Sequence, residues 1–160
     1  MEELVKSIHR KWLDTKRYAA NKCRRSFPEV ARQLDECAMF SGEESLSQLT
    51  ELIYTPQGRE FMLANQFPTL STLRKFKPLN PEQFKVYIDS GKITLHDPGK
   101  CFLIGKTEAN IICRETQKND IILMHGARAN VYGYDYAVLN VEKDRKSKAD
   151  VYTQGNALLV

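Results

Sequence analysis

The sequence holds no apolar run approaching the eighteen or more residues of a membrane span, so no transmembrane segment and no membrane partner are expected. It also has no P-loop, no GxGxxG, no GxSxG and no HExxH, and enzyme activity therefore has no positive support from motifs. Its four cysteines, Cys23, Cys37, Cys101 and Cys113, form no CxxC pair and share no metal-ligand spacing with the three histidines. No catalytic residue, metal ligand or cofactor is assigned. Cys101 and Cys113 lie in apolar stretches and are expected to pack as small hydrophobes, whereas Cys23, beside Arg24 and Arg25, is expected to be an ordinary surface thiol. His125, just ahead of Gly126, reads as a turn residue. The N-terminus lacks the short apolar core and small-residue cleavage site of a secretory signal, which favours the cytoplasm or an assembly put together there.

What is present is enough chain, 160 residues, to bury a real core, and a net charge of +4 that is unevenly placed. Residues 1–35 hold nine Lys or Arg against five acids, and the rest of the chain is balanced. The excess sits on two expected helices. Leu4, Val5, Ile8, Trp12 and Ala19 recur at helical spacing, predicting a helix over 2–21. Ser26-Phe27-Pro28-Glu29 predicts a capping box opening a second helix, with Phe27, Val30, Ala31, Leu34 and Ala38 as its inward face. A third helix is expected over 45–54, a fourth after Thr55-Pro56, and a short fifth after Phe67-Pro68-Thr69. Pro78 and Pro81 then deny helix and ladder hydrogen bonds, so a helical module over 1–80 is expected to give way to a β module over 81–160.

The β module echoes itself. Ala109-Asn110-Ile111-Ile112 returns as Ala129-Asn130-Val131-Tyr132 and as Ala149-Asp150-Val151-Tyr152, and Ala137-Val138-Leu139 returns as Ala157-Leu158-Leu159, always twenty residues on. Strand alternation sends the Ala109/Ala129/Ala149 and Ile111/Val131/Val151 columns inward, and Asn110/Asn130/Asp150 with Ile112/Tyr132/Tyr152 outward. Small alanines beside β-branched residues suit a narrow core. The fold class expected is α+β: an N-terminal helical module followed by a short β-solenoid, β-helix-like, of about twenty residues per rung, with a weaker first row over 85–104. An antiparallel sandwich or meander is the alternative. The eighteen-residue period and aliphatic-Gly pattern of hexapeptide helices are missing, so no acyltransferase is inferred.

Three surfaces are candidates for function. Tyr132, Tyr134, Tyr136 and Tyr152 would gather on one face and corner, where flat rings with polar tips suit a protein or a sugar. Ala157, Leu158, Leu159 and Val160 would leave an apolar rung open, a site for homo-oligomerisation or a docked protein partner. Arg10, Lys11, Lys16, Arg17, Lys22, Arg24 and Arg25 are the candidate nucleic-acid contacts.

The stretch from Leu52-Ile53-Tyr54-Thr55-Pro56-Gln57-Gly58 through Phe67-Pro68-Thr69-Leu70, with Tyr87-Ile88-Asp89-Ser90-Gly91 and Ile121-Ile122-Leu123-Met124-His125-Gly126-Ala127, resembles a group of small proteins of no known activity from gut bacteria and their phages or other mobile elements. The resemblance implies a mobile-element protein and transfers no functional residue. Taken together, the expected function is that of a non-enzymatic interaction or assembly protein that oligomerises or docks through its β module. The alternatives are a nucleic-acid-associated accessory protein and, third, a carbohydrate-binding or carbohydrate-active protein using the tyrosine face.

Overall fold

A computed structural model describes all 160 residues, which divide into two compact units, Met1–Thr72 and Leu73–Val160. The first contains α1 (Glu2–Cys23), α2 (Pro28–Glu36), α3 (Leu46–Tyr54) and α4 (Pro56–Asn65); α5 (Leu70–Arg74) straddles the division. Acids at Glu2 and Glu3 and Lys22 in the last turn complement the dipole of α1, whose buried stripe is Val5, Ile8, Trp12 and Ala20. Trp12 is the hub of an aromatic cluster: His9 stacks on it at 5.7 Å between centroids, and Phe40 and Phe61 meet it edge-on at 5.8 and 6.4 Å.

The start of α2 departs from expectation. Ser26 does not cap it; the Cys23 carbonyl accepts from both Ser26 N and Phe27 N, so Ser26 belongs to the turn that closes α1. Phe27 takes the N-cap position without a side-chain bond, and of the predicted inward face only Ala31 is fully buried, with Phe27 63% exposed. A capping box occurs instead at α3, where Ser45 Oγ accepts from Gln48 N and Ser45 N donates to Gln48 Oε1. Thr55 and Pro56 open α4 as their types predict, Thr55 Oγ1 accepting from Gly58 N at 3.0 Å.

The second unit begins with two 3-10 turns, Lys77–Leu79 and Pro81–Phe84, where the prolines stop the helices. Nine strands follow: β1 (Val86–Ile88), β2 (Gly91–His96), β3 (Lys100–Ile104), β4 (Thr107–Cys113), β5 (Lys118–Met124), β6 (Arg128–Gly133), β7 (Val138–Lys143), β8 (Lys148–Thr153) and β9 (Leu158–Leu159). They alternate between a five-stranded sheet, β1-β3-β5-β7-β9, and a four-stranded sheet, β2-β4-β6-β8, and every pairing is parallel. This is a β-solenoid of about four turns. The sandwich and the meander are excluded, because both need antiparallel pairs.

Ala109, Ala129 and Ala149 stack in one inward column and Ile111, Val131 and Val151 in the next, as the sequence predicts. Larger side chains from the five-stranded sheet, Leu103, Ile121, Leu123 and Leu139, fill the space those alanines leave. Phe102, Ile104, Ile122 and Met124 point to the other side of the five-stranded sheet and are buried too. Strands covered on both faces read as unbroken apolar runs, as Cys101–Ile104 and Ile121–Met124 do.

The first row corrects the twenty-residue period. Ile93 pairs with Ala109 and Val86 with Phe102, a step of sixteen, whereas later pairs such as Ala109 with Ala129 step by twenty. The difference lies at one corner. His96 and Ile112 are partners, as are Lys100 and Asp120, so the chain crosses in four residues through Asp97-Pro98-Gly99 and takes eight one rung later.

The corners are held by side chains that reach one rung along. Asp97 Oδ1 accepts from Arg114 N and Glu115 N, Asp144 accepts from His125 N, Lys146 N and Ser147 N, and buried Asn119 accepts from Gly99 N at 3.0 Å. Asn119 stands in the inward column that Leu139 and Leu159 continue, and it supplies the acceptor that the short corner requires. Asp89 serves the first corner, its Oδ2 accepting from Arg74 Nε at 2.6 Å and its Oδ1 from Lys106 N at 2.7 Å. The Arg74 guanidinium, helped by the Lys106 amide, holds this carboxyl below its ordinary value of 3.8 against the opposing effect of burial. A depressed carboxylate contributes stability that is complete above the ordinary value and lost as pH falls through the folded one. Replacing Arg74 with Gln is therefore expected to move the acid-unfolding midpoint, followed by circular dichroism, to higher pH; an unchanged midpoint would remove Asp89 from the acid stability of the fold.

Candidate interaction surfaces

Because strand residues alternate, the exposed side of the four-stranded sheet is written by three columns running along the solenoid. The first is Lys92, Glu108, Arg128 and Lys148; the second is Thr94, Asn110, Asn130 and Asp150; the third is His96, Ile112, Tyr132 and Tyr152. Long charged side chains stand beside short polar ones, and a groove of about 460 Å³ opens over the first two columns. Its floor includes the chain at Ile93, Ala109 and Ala129. Asn130 Nδ2 donates to Asn110 Oδ1 at 3.2 Å, and Lys148 meets Asp150 at 3.6 Å.

The four tyrosines are not one cluster. Tyr132 and Tyr152 stack on successive rungs, with centroids 5.2 Å apart and planes 16° from parallel. Tyr134 turns at the corner, where the Arg114 guanidinium lies 4.2 Å from its ring centroid. Tyr136 stands on the same corner, 61% exposed.

The last rung is where the inward columns meet solvent. Leu139 is fully buried, but Leu159, its partner one rung on, is 55% exposed, flanked by Leu158 and Val160, which are likewise exposed. Ala157 is half-buried, as are Val141, Ala149 and Val151 around it. β8 and β9 each have one hydrogen-bonded neighbour.

The basic residues of the first unit divide. Arg10, Lys11, Arg17, Lys22 and Arg25 are exposed. Lys16 is drawn inward: its Nζ donates to the Cys37 and Asp35 carbonyls at 2.8 and 3.3 Å and lies 4.8 Å from the Trp12 ring centroid. Arg24 is also engaged, with Asp35 at 3.0 Å and Asn21 at 3.2 Å. These two serve the α1–α2 hairpin, a use that their place in a basic run does not reveal.

The cysteines of the β module are buried, and burial pushes the Cys101 thiol up to about 12 and the Cys113 thiol up to about 11. Neither is poised as a thiolate nucleophile at neutral pH. No group of three or more His, Cys, Asp or Glu side chains is placed to hold a metal ion, and no helix is long and apolar enough to cross a membrane. The groove and Asn119 are what sequence reasoning missed. The signal for the groove was present, since Glu108, Arg128 and Lys148 recur twenty residues apart, two positions ahead of the Asn column. Comparison with known proteins finds no match to this chain, whether among family models, curated proteins or solved structures.

Proposed function

We propose that the protein is a non-enzymatic assembly protein that self-associates through the last rung of its β module. One observation carries the reading: Leu159 continues the inward column of Leu139 yet is 55% exposed, beside Leu158 at 59% and Val160 at 66%. Apolar side chains of core type next to an unpaired parallel edge form a surface that natural proteins cover. A second copy suits this surface. At the other end of the five-stranded sheet the 3-10 turn Pro81–Phe84 packs against β1, and Ser90 Oγ donates to Glu82 Oε1 at 2.7 Å to hold it there. A head-to-tail stack would have to displace that turn. Contact between the same last rung of two copies needs no such change and closes at a dimer, the isologous arrangement that most soluble oligomers use.

Light scattering at increasing concentration is the direct test. The wild-type protein is expected to reach twice the chain mass, and Leu159→Lys, which puts a charge in the contact on the outermost rung, is expected to stay at the chain mass. A wild-type monomer at every concentration, or a dimer unchanged by Leu159→Lys, would overturn the reading.

A further inference from the structure

We propose that the groove on the four-stranded sheet binds an acidic oligosaccharide, a function separate from self-association through the last rung. Four strands at a spacing of about 4.8 Å give a trough about 14 Å long, which suits a chain of sugars rather than a single ring. The side chains of the first two columns, which wall the trough, are all polar or charged. The Asn130 to Asn110 bond uses one donor and one acceptor, and both N–H groups of Asn110, with one N–H and the carbonyl of Asn130, are not used by it. Donors and acceptors side by side match hydroxyl groups, each of which gives one hydrogen bond and accepts others.

Charge fixes the class of sugar. In the first column the cations Lys92, Arg128 and Lys148 outnumber the single acid, Glu108. Lys92 and Arg128 lie two rungs apart and Lys148, which also meets Asp150, follows on the next, so carboxylates spaced along a glycan meet more cation than acid. A polyphosphate is disfavoured because it only accepts hydrogen bonds, whereas the Asn130 carbonyl and the Glu108 and Asp150 carboxylates in the same lining call for the donors that sugar hydroxyls supply. An extended peptide is disfavoured for another reason. Peptides add to sheets by edge pairing, and across the middle of the groove β4 and β6 already have both neighbours, so free ladder groups remain only along the outer edges of β2 and β8. One column beyond the asparagines, about 7 Å along the strands, the Tyr132–Tyr152 pair gives an apolar margin for the C–H surfaces of a sugar.

Calorimetric titration with hexagalacturonate, maltohexaose and oligo-dT of similar length tests the proposal. Hexagalacturonate is expected to bind, and both Arg128→Glu and the double variant Asn110→Ala/Asn130→Ala are expected to weaken it by about tenfold or more, the scale of one lost charge-assisted contact. These side chains are exposed, so thermal melts of the variants are expected to match the wild type, separating lost binding from lost fold. Maltohexaose, which has the hydroxyls without the carboxylates, is expected to bind at least about tenfold more weakly. No heat with hexagalacturonate, binding that survives both variants, or oligo-dT bound as tightly would overturn it. Self-association, read by light scattering on the same samples, stands or falls independently.

Discussion

Replacing Ile121 with alanine is expected to lower the stability of the β module by about 2–5 kcal/mol, the cost of removing a large aliphatic side chain from a site that cannot collapse. Ile121 is fully buried in the middle of an inward column, between Cys101 and Val141. It has a covalently fixed rung on either side and cannot be replaced by a shift of either. Because each rung is stabilised by its neighbours, a cavity there weakens the rungs before and after it as well. For a chain of this size the loss corresponds to a fall in melting temperature of about 10 °C. Thr116→Ala, at an exposed corner, is the control and is expected to change stability by no more than about 0.5 kcal/mol. Urea unfolding of the pair measures the difference; equal stabilities would mean that the column is not packed as described.

Gly58→Ala is expected to destabilise the helical unit by about 2–4 kcal/mol, combining overpacking with a lost cap. The direction is informative, because alanine inside a helix ordinarily gains about 0.5–1 kcal/mol over glycine. Here an added Cβ would lie 2.1 Å from the Leu52 carbonyl oxygen and 2.9 Å from Thr55 Oγ1. Neither atom is free to give way. Leu52 O accepts from Thr55 N and Thr55 Oγ1 where α3 ends, and Thr55 Oγ1 accepts from Gly58 N where α4 begins. The methyl therefore breaks the joint between two helices. Hydrogen exchange is expected to quicken first across residues 46–65, and a stabilised variant would show that the joint has room.

How far the chain can be read from its letters depends on what each residue decides. The inward columns are legible because Ala109, Ala129 and Ala149 are small, Ile111, Val131 and Val151 are branched, and both sets recur at one offset. The step from β2 to β4 is not legible. Sixteen and twenty differ by four, an even number, so Ile93 points inward whether it lies over Ala109 or over Cys113, and alternation is satisfied either way. Register there is set by the length of the Asp97-Pro98-Gly99 corner and by the Asn119 acceptor that serves it. The N-cap of α2 lies one residue beyond the position that the capping pattern at Ser26 predicts, because the backbone there still turns out of α1. Asn119 carried a signal of its own: a polar side chain where Leu139 and Leu159 follow at twenty-residue intervals. Of the candidate surfaces, the Tyr132–Tyr152 stack follows from the repeat, while the engagement of Lys16 and Arg24 depends on carbonyls and a carboxylate brought in by α2 and the segment after it.

The second unit is a parallel solenoid whose rungs advance by twenty residues after a first step of sixteen. Methyl–methyl nuclear Overhauser contacts in a sample labelled at Ala, Ile, Leu and Val test it most directly. The parallel arrangement gives Ile93 with Ala109, then Ala109 with Ala129 and Ile111 with Val131, and then Val131 with Val151, partner numbers rising together by sixteen once and by twenty thereafter. Contacts in which one number rises as the other falls, the mark of antiparallel strands, would contradict it.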